Sequence, residues 1–164
     1  IMAYLNKHQY DYRRESAAKR NISNEEIAVE NGMTDEQAEL ITELCSARHE
    51  MHCNISHLVE DGSYDKIGDY LIDINMRLKS TNIPIVPNIP CDNSDYIDID
   101  DMYTLFETVQ LPDDDDEREN FLAGERERIY DCWENLNKVI EHYLADIDKK
   151  YGTSWCPSGA LRIF

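Results

Sequence analysis

Apolar side chains recur every three or four residues along three long stretches of the chain, which is the spacing of one face of an α-helix. The pattern predicts helices over 34–59, 67–79 and 118–151. Thr34 and Gln37 form a candidate capping box at the first of these helices. Gly152 stands directly after the last one, where a left-handed C-cap residue is expected.

The rest of the chain has a different pattern. Residues 2–32 carry mixed charges, and Ser23 with Glu26 predicts a helix start there, so this segment is expected to be an N-terminal helical arm. Residues 80–117 are rich in Pro and Asp and indicate an irregular loop region, with a short helix at 101–109. Within it, Tyr96–Asp100 alternates apolar and acidic residues, as a half-buried strand does.

These elements together predict the fold class. We expect a mainly α protein with a small β element (α+β), in which a long helical hairpin or bundle carries an irregular acidic middle segment. The length of 164 residues favours a single domain over 1–164. The C-terminal tail, 152–164, is apolar enough that it should fold back onto the helices.

The charge balance narrows the classes of function. Asp and Glu number 34 against 16 Lys and Arg, a formal net charge of -18. Direct general binding of DNA or RNA is therefore not expected, since phosphate contacts depend on an excess of basic residues. The charge also exceeds the magnitude of about 2–8 that keeps a small domain soluble. Such an excess indicates that the carboxylates have a function beyond keeping the protein in solution.

The densest acids lie between residues 92 and 117. One interpretation is a solvated surface. A calcium loop is disfavoured, because the EF-hand spacing with its turn glycine does not occur. We favour a third interpretation, in which carboxylates imitate phosphates and tyrosines pack where bases or sugars would lie in a basic groove. The predicted partner-binding residues are Asp92, Asp95, Tyr96, Asp98, Asp100, Asp101, Tyr103, Asp113, Asp114, Asp115 and Asp116.

The expected location of the protein follows from the membrane-span, export-signal and cysteine patterns of the sequence. No window resembles a membrane span, and residues 1–20 contain no apolar core of an export signal. The five cysteines form no C-x-x-C pair and indicate reduced thiols. We therefore expect an intracellular protein that neither enters nor binds membranes, and we predict no cofactor.

The segment from Cys45 to Asn54 holds the densest group of side chains that could bind a metal ion or act in catalysis. Cys45, His49 and His52 share a helical face and could bind zinc if Cys156 joined them, although the usual bipartite spacing is missing. Alternatively, two histidines one turn apart could act as acid and base in metal-independent RNA cleavage, with Arg48 at the phosphate. The third alternative is structural, with Cys45 in the core and the charged residues bonded to acids on the long helix.

Two segments resemble a known family. Residues 33–54, with Leu44-Cys45-x-x-Arg48-His49-x-x-His52-x-Asn54, and residues 136–162, with Tyr151-Gly152-Thr153-x-x-Cys156-Pro157-x-Gly159 and Arg162, are similar to the phage-encoded type V-A anti-CRISPR proteins that truncate the guide RNA held by the effector nuclease. The middle of the chain, 60–125, departs from them.

The resemblance implies an inhibitor that acts in the host cytoplasm on a type V CRISPR effector and its guide RNA. Its acids and aromatics would contact the pocket where the effector reads the flank of its target. Arg48, His49, His52 and Asn54 match the first motif and are the candidate catalytic residues of a guide-RNA endoribonuclease. Two other expectations stay open. One is a non-catalytic DNA-mimic antirestriction protein, and the other is an acidic helical protein with no partner related to nucleic acid.

Overall fold

A computed structural model describes residues 4–81, 83 and 113–157. It has helices α1 (Lys7–Arg20), α2 (Asn24–Glu30), α3 (Asp35–Glu60), α4 (Tyr64–Ser80) and α5 (Asp115–Tyr151). The prediction of a mainly helical protein is confirmed. These described residues include no strand, and the β element predicted at Tyr96–Asp100 lies outside them, as does the short helix predicted at 101–109.

The predicted helix starts coincide with real caps. Thr34 Oγ1 accepts from the Gln37 amide at 3.1 Å, and the Gln37 side chain accepts from the Thr34 amide at 3.1 Å. Ser23 caps α2 by accepting from the Glu26 amide at 3.2 Å. These bonds satisfy amide groups that have no partner within a helix.

Single polar residues set two further boundaries. In the N-terminal arm, the helix predicted to start at Ser23 is α2, and α1 precedes it and ends at Asn21, which adopts a left-handed conformation with φ of 54°. The long helix begins at Asp115 rather than 118, because the Asp114 carboxylate accepts from the Glu117 amide at 3.2 Å and caps it. The acidic run therefore forms the first turn of α5, where the helix dipole favours negative charge.

The chain divides into two compact units. The first comprises Ile1–Ser46, Arg77–Pro90 and Val139–Phe164, and the second comprises Ala47–Met76 and Cys91–Lys138. Fully buried aliphatic residues form the core of the first unit: Ile41, Leu44, Ile140, Leu144 and Ile147. The second has its own core: Met51, Ile67, Leu71, Ile74, Ile129 and Trp133. Both sets follow the helical spacing that the sequence shows.

A buried carboxylate organises the turn after α5, in the first unit. Asp148 is 1% exposed and accepts from Thr153 Oγ1 at 2.7 Å and from the amides of Trp155 and Cys156 at 2.8 Å each. Burial raises the pKa of Asp148, and these hydrogen bonds oppose that shift. The chain therefore turns back at Gly152, whose φ is +78°.

Helix α1 holds the same turn from the other side. Tyr10 Oη donates to the Thr153 carbonyl at 2.7 Å, and Arg13 donates to the Tyr151 carbonyl at 3.2 Å. A Cβ atom on Gly152 would lie 2.6 Å from Arg13 Cδ, so a side chain there would displace Arg13. The expectation that the tail folds back onto the helices is met for residues 152–156, while 158–164 lie outside the described residues.

Tyr10→Phe should make stability less sensitive to alkaline pH. Burial raises the pKa of Tyr10 to about 12 in the folded protein, above its ordinary 10.0. The folded state therefore holds this proton more tightly, and its stabilising effect is lost as pH rises from 10 towards about 12. Near neutral pH the variant should lose about 0.5–1.5 kcal/mol with the hydrogen bond, and this deficit should shrink above pH 10.

Urea unfolding across that pH range measures the effect. Tyr12→Phe is the matched control, because Tyr12 lies on the same helix and is 69% exposed. A deficit for Tyr10→Phe that stays constant up to pH 12 would contradict the argument.

Candidate functional site

Arg48, a predicted catalytic residue, lies in the interior of the second unit. It is 6% exposed, and its Nε donates to Asn137 Oδ1 on α5 at 2.7 Å. The structural alternative is met in part, since Arg48 bonds to the long helix, whereas Cys45 is only half-buried and the histidines are exposed. The guanidinium is thus committed to a contact between α3 and α5.

The two histidines of the segment point outwards. His49 and His52 are exposed, and His49 Nε2 lies 3.6 Å from Cys53 Sγ. Asn54 is also exposed, and its side-chain amide donates to the Glu50 carbonyl at 2.9 Å. The candidate catalytic residues therefore divide, with Arg48 buried and the other three at the surface.

The zinc set proposed from Cys45, His49, His52 and Cys156 is not assembled. No group of three or more His, Cys, Asp or Glu side chains within the described residues is arranged to hold a metal ion. The Cys156 thiol instead donates to the Glu141 carbonyl at 3.6 Å.

Most of the predicted partner-binding residues lie outside the described residues: Asp92, Asp95, Tyr96, Asp98, Asp100, Asp101 and Tyr103. The remaining four, Asp113–Asp116, are exposed around the start of α5.

A groove of about 770 Å³ lies between α2 and α3 in the first unit. Six of its lining residues are acidic: Glu25, Glu26, Glu30, Asp35, Glu39 and Glu43. Val29 and Ala38 add apolar surface to it. The groove therefore presents carboxylates on both of its helical walls.

Two of those carboxylates are neutralised by the protein itself. Arg20 binds Glu30 through two bonds of 2.8 and 3.1 Å, and this contact lowers the pKa of Glu30. Arg77 binds Glu43 at 3.2 Å. The other four, Glu25, Glu26, Asp35 and Glu39, make no ion pair with any described residue. We call these four the groove carboxylates.

Sequence reasoning missed this groove, because it followed the longest acidic run. Its acids are spread over two helices, and the turn between α2 and α3 brings them together. One signal was available: residues 23–43 contain seven acidic residues and no Lys or Arg. A charge count over that window would have found it.

Comparison with known proteins gives no assignment. No protein-family model matches the chain, and no curated protein or solved structure matches it significantly. None of the helices in the described ranges combines the length and the apolarity needed to cross a bilayer. The functional argument therefore rests on the residues of this chain.

Proposed function

We propose that this protein is a phage or mobile-element inhibitor that binds a type V CRISPR effector nuclease in the host cytoplasm. Its carboxylates occupy a basic surface that the effector uses for nucleic acid. The observation that carries the proposal is the groove between α2 and α3, with four carboxylates that make no ion pair with any described Lys or Arg.

The groove suits basic side chains for a simple electrostatic reason. Carboxylates on two facing walls can pair with a Lys or Arg side chain from both sides, much as successive phosphates do. A guanidinium also binds a carboxylate through two parallel hydrogen bonds, so pairing can be directional. In the second unit, Asp113–Asp116 are exposed and form a separate anionic group.

The negative charge of the protein determines how its association with the effector depends on salt. Opposite charges speed the encounter of two proteins. At 0.1 M, dissolved salt screens this attraction over a distance of about 10 Å. Inhibition of the effector should therefore weaken as salt is added. An inhibitor that bound through apolar contacts would be much less sensitive.

Neutralising the groove carboxylates should weaken inhibition by at least about fourfold, since exposed ion pairs contribute about 0.2–1 kcal/mol each and four are lost. The variant is E25Q/E26Q/D35N/E39Q. The measurement is cutting of target DNA by a purified, guide-loaded type V effector at increasing inhibitor concentration. Circular dichroism checks that the helices persist.

The matched control removes the same charge elsewhere. E119Q/E127Q/D131N/E134Q changes four exposed acids of α5 and should inhibit like the wild type. Equal weakening by both variants would mean that net charge alone matters, and it would contradict the groove assignment.

A second candidate function, DNA mimicry directed at restriction enzymes, would use the same carboxylates. The two functions are distinguished by replacing the CRISPR effector with a restriction endonuclease in the same assay. Guide length on a denaturing gel addresses the cleavage hypothesis, which the burial of Arg48 does not favour. An inhibited effector with an intact guide supports mimicry, whereas a shortened guide supports cleavage.

A further inference from the structure

Two side chains that commonly bind soft metals face each other on the exposed surface of α3. His49 Nε2 and Cys53 Sγ are 3.6 Å apart, and both residues are exposed. They are four positions apart in a helix that continues beyond both, so the backbone holds their side chains on neighbouring turns.

Their separation matches the bite of a tetrahedral zinc ion. With a Zn–S distance of about 2.3 Å, a Zn–N distance of about 2.05 Å and a tetrahedral angle of about 109°, the nitrogen and sulfur of one site lie about 3.6 Å apart. The observed distance has the same value. A metal could therefore bridge the two atoms with little side-chain movement.

We propose that His49 and Cys53 form a two-ligand chelate for Zn²⁺ and similar soft divalent cations. Imidazole and thiolate are the ligand pair that such ions prefer over carboxylates and carbonyls. On binding, the thiol gives up its proton to solvent and the sulfur bonds to the metal, while water completes the coordination sphere. Only these two protein ligands are claimed.

This site is distinct from the zinc set considered from the sequence. It uses Cys53 in place of Cys45, His52 and Cys156, and it needs no contribution from the tail. It is also independent of the proposed inhibitor function, since the groove carboxylates play no part in it.

Cobalt provides a direct test, because a cobalt–thiolate bond gives a near-ultraviolet charge-transfer absorption. Co²⁺ is titrated into the full chain under a reductant that does not bind metals, and Zn²⁺ is then added to displace it. The wild type should develop the absorption and lose it with zinc. Cys53→Ser should abolish it. Loss of even an outer-shell partner lowers metal affinity by about 10–100-fold, so His49→Gln should weaken binding at least about tenfold.

An exposed histidine on α3 that is not four residues from Cys53 provides the matched control. His52→Gln should bind cobalt like the wild type. The proposal is overturned if the wild type shows no absorption with excess cobalt or if Cys53→Ser retains it. It is also overturned if His52→Gln weakens binding as much as His49→Gln does.

Discussion

Asp148→Ala should lower the free energy of unfolding by about 3 kcal/mol, because each donor that is left without a partner in a buried or half-buried position costs about 1–3 kcal/mol. The substitution removes the acceptor of three hydrogen bonds, from Thr153 Oγ1 and from the amides of Trp155 and Cys156. The hydroxyl can rotate to another acceptor, but the two amides are fixed by the backbone. Urea unfolding followed by circular dichroism measures the change.

Asp131→Asn is the matched control for this prediction, since Asp131 lies on the same helix and is exposed. Its effect should stay within about 0.5 kcal/mol, as for most surface substitutions. Asp148→Asn should fall between the two, because the carboxamide keeps one acceptor but sets an N–H group against an amide donor. If Asp148→Ala unfolds like the wild type, the carboxylate does not hold the turn.

The helices could be predicted from the sequence because local signals encode them. Thr34 with Gln37 and Ser23 with Glu26 are caps whose partners lie three residues away, and the buried Ile and Leu positions repeat with the helical period. The same logic placed the end of α5 at Gly152. Two other boundaries also depend on a single polar residue: Asn21 ends α1, and Asp114 caps α5, which begins at Asp115 rather than at 118.

The role of Asp148 could not be predicted in this way. An acid near the C-terminal end of a helix is unfavourable for the helix dipole, so propensity alone suggests an exposed position. Its partners come from the turn that follows it, and the tyrosine and arginine that brace that turn are more than 130 residues away in the chain. Only the folded structure brings them together.

The candidate site also could not be predicted fully from local sequence signals. The groove carboxylates belong to two helices, and their common feature is the absence of nearby positive charge rather than any motif. In the Arg48–Asn54 segment the motif was visible, and the apolar spacing of Leu44 and Met51 already places position 48 on the buried face of α3. Arg48 lies between Leu44 and Met51 on the buried face, whereas His49 and His52 lie off it.

Arg48→Ala should lower the free energy of unfolding by about 3 kcal/mol. A hydrogen bond to a charged group contributes about 1.5–3 kcal/mol, and Arg48 donates one to Asn137 at 2.7 Å. The buried aliphatic stem also packs against its neighbours and would leave a cavity. Arg48→Lys should recover part of the loss, because it restores the stem but not the planar donor group. Urea unfolding measures all three proteins.

The double variant H49A/H52A is the control, and it should unfold within about 0.5 kcal/mol of the wild type, since both side chains are exposed. It also separates structure from catalysis. Loss of guide shortening in Arg48→Ala would not by itself show a role in cleavage, because the substitution also destabilises the fold. Loss of shortening in H49A/H52A, with the effector complex still formed, would support acid–base chemistry at the exposed histidines. Guide shortening that persists in this stable double variant would rule out acid–base catalysis by the two histidines.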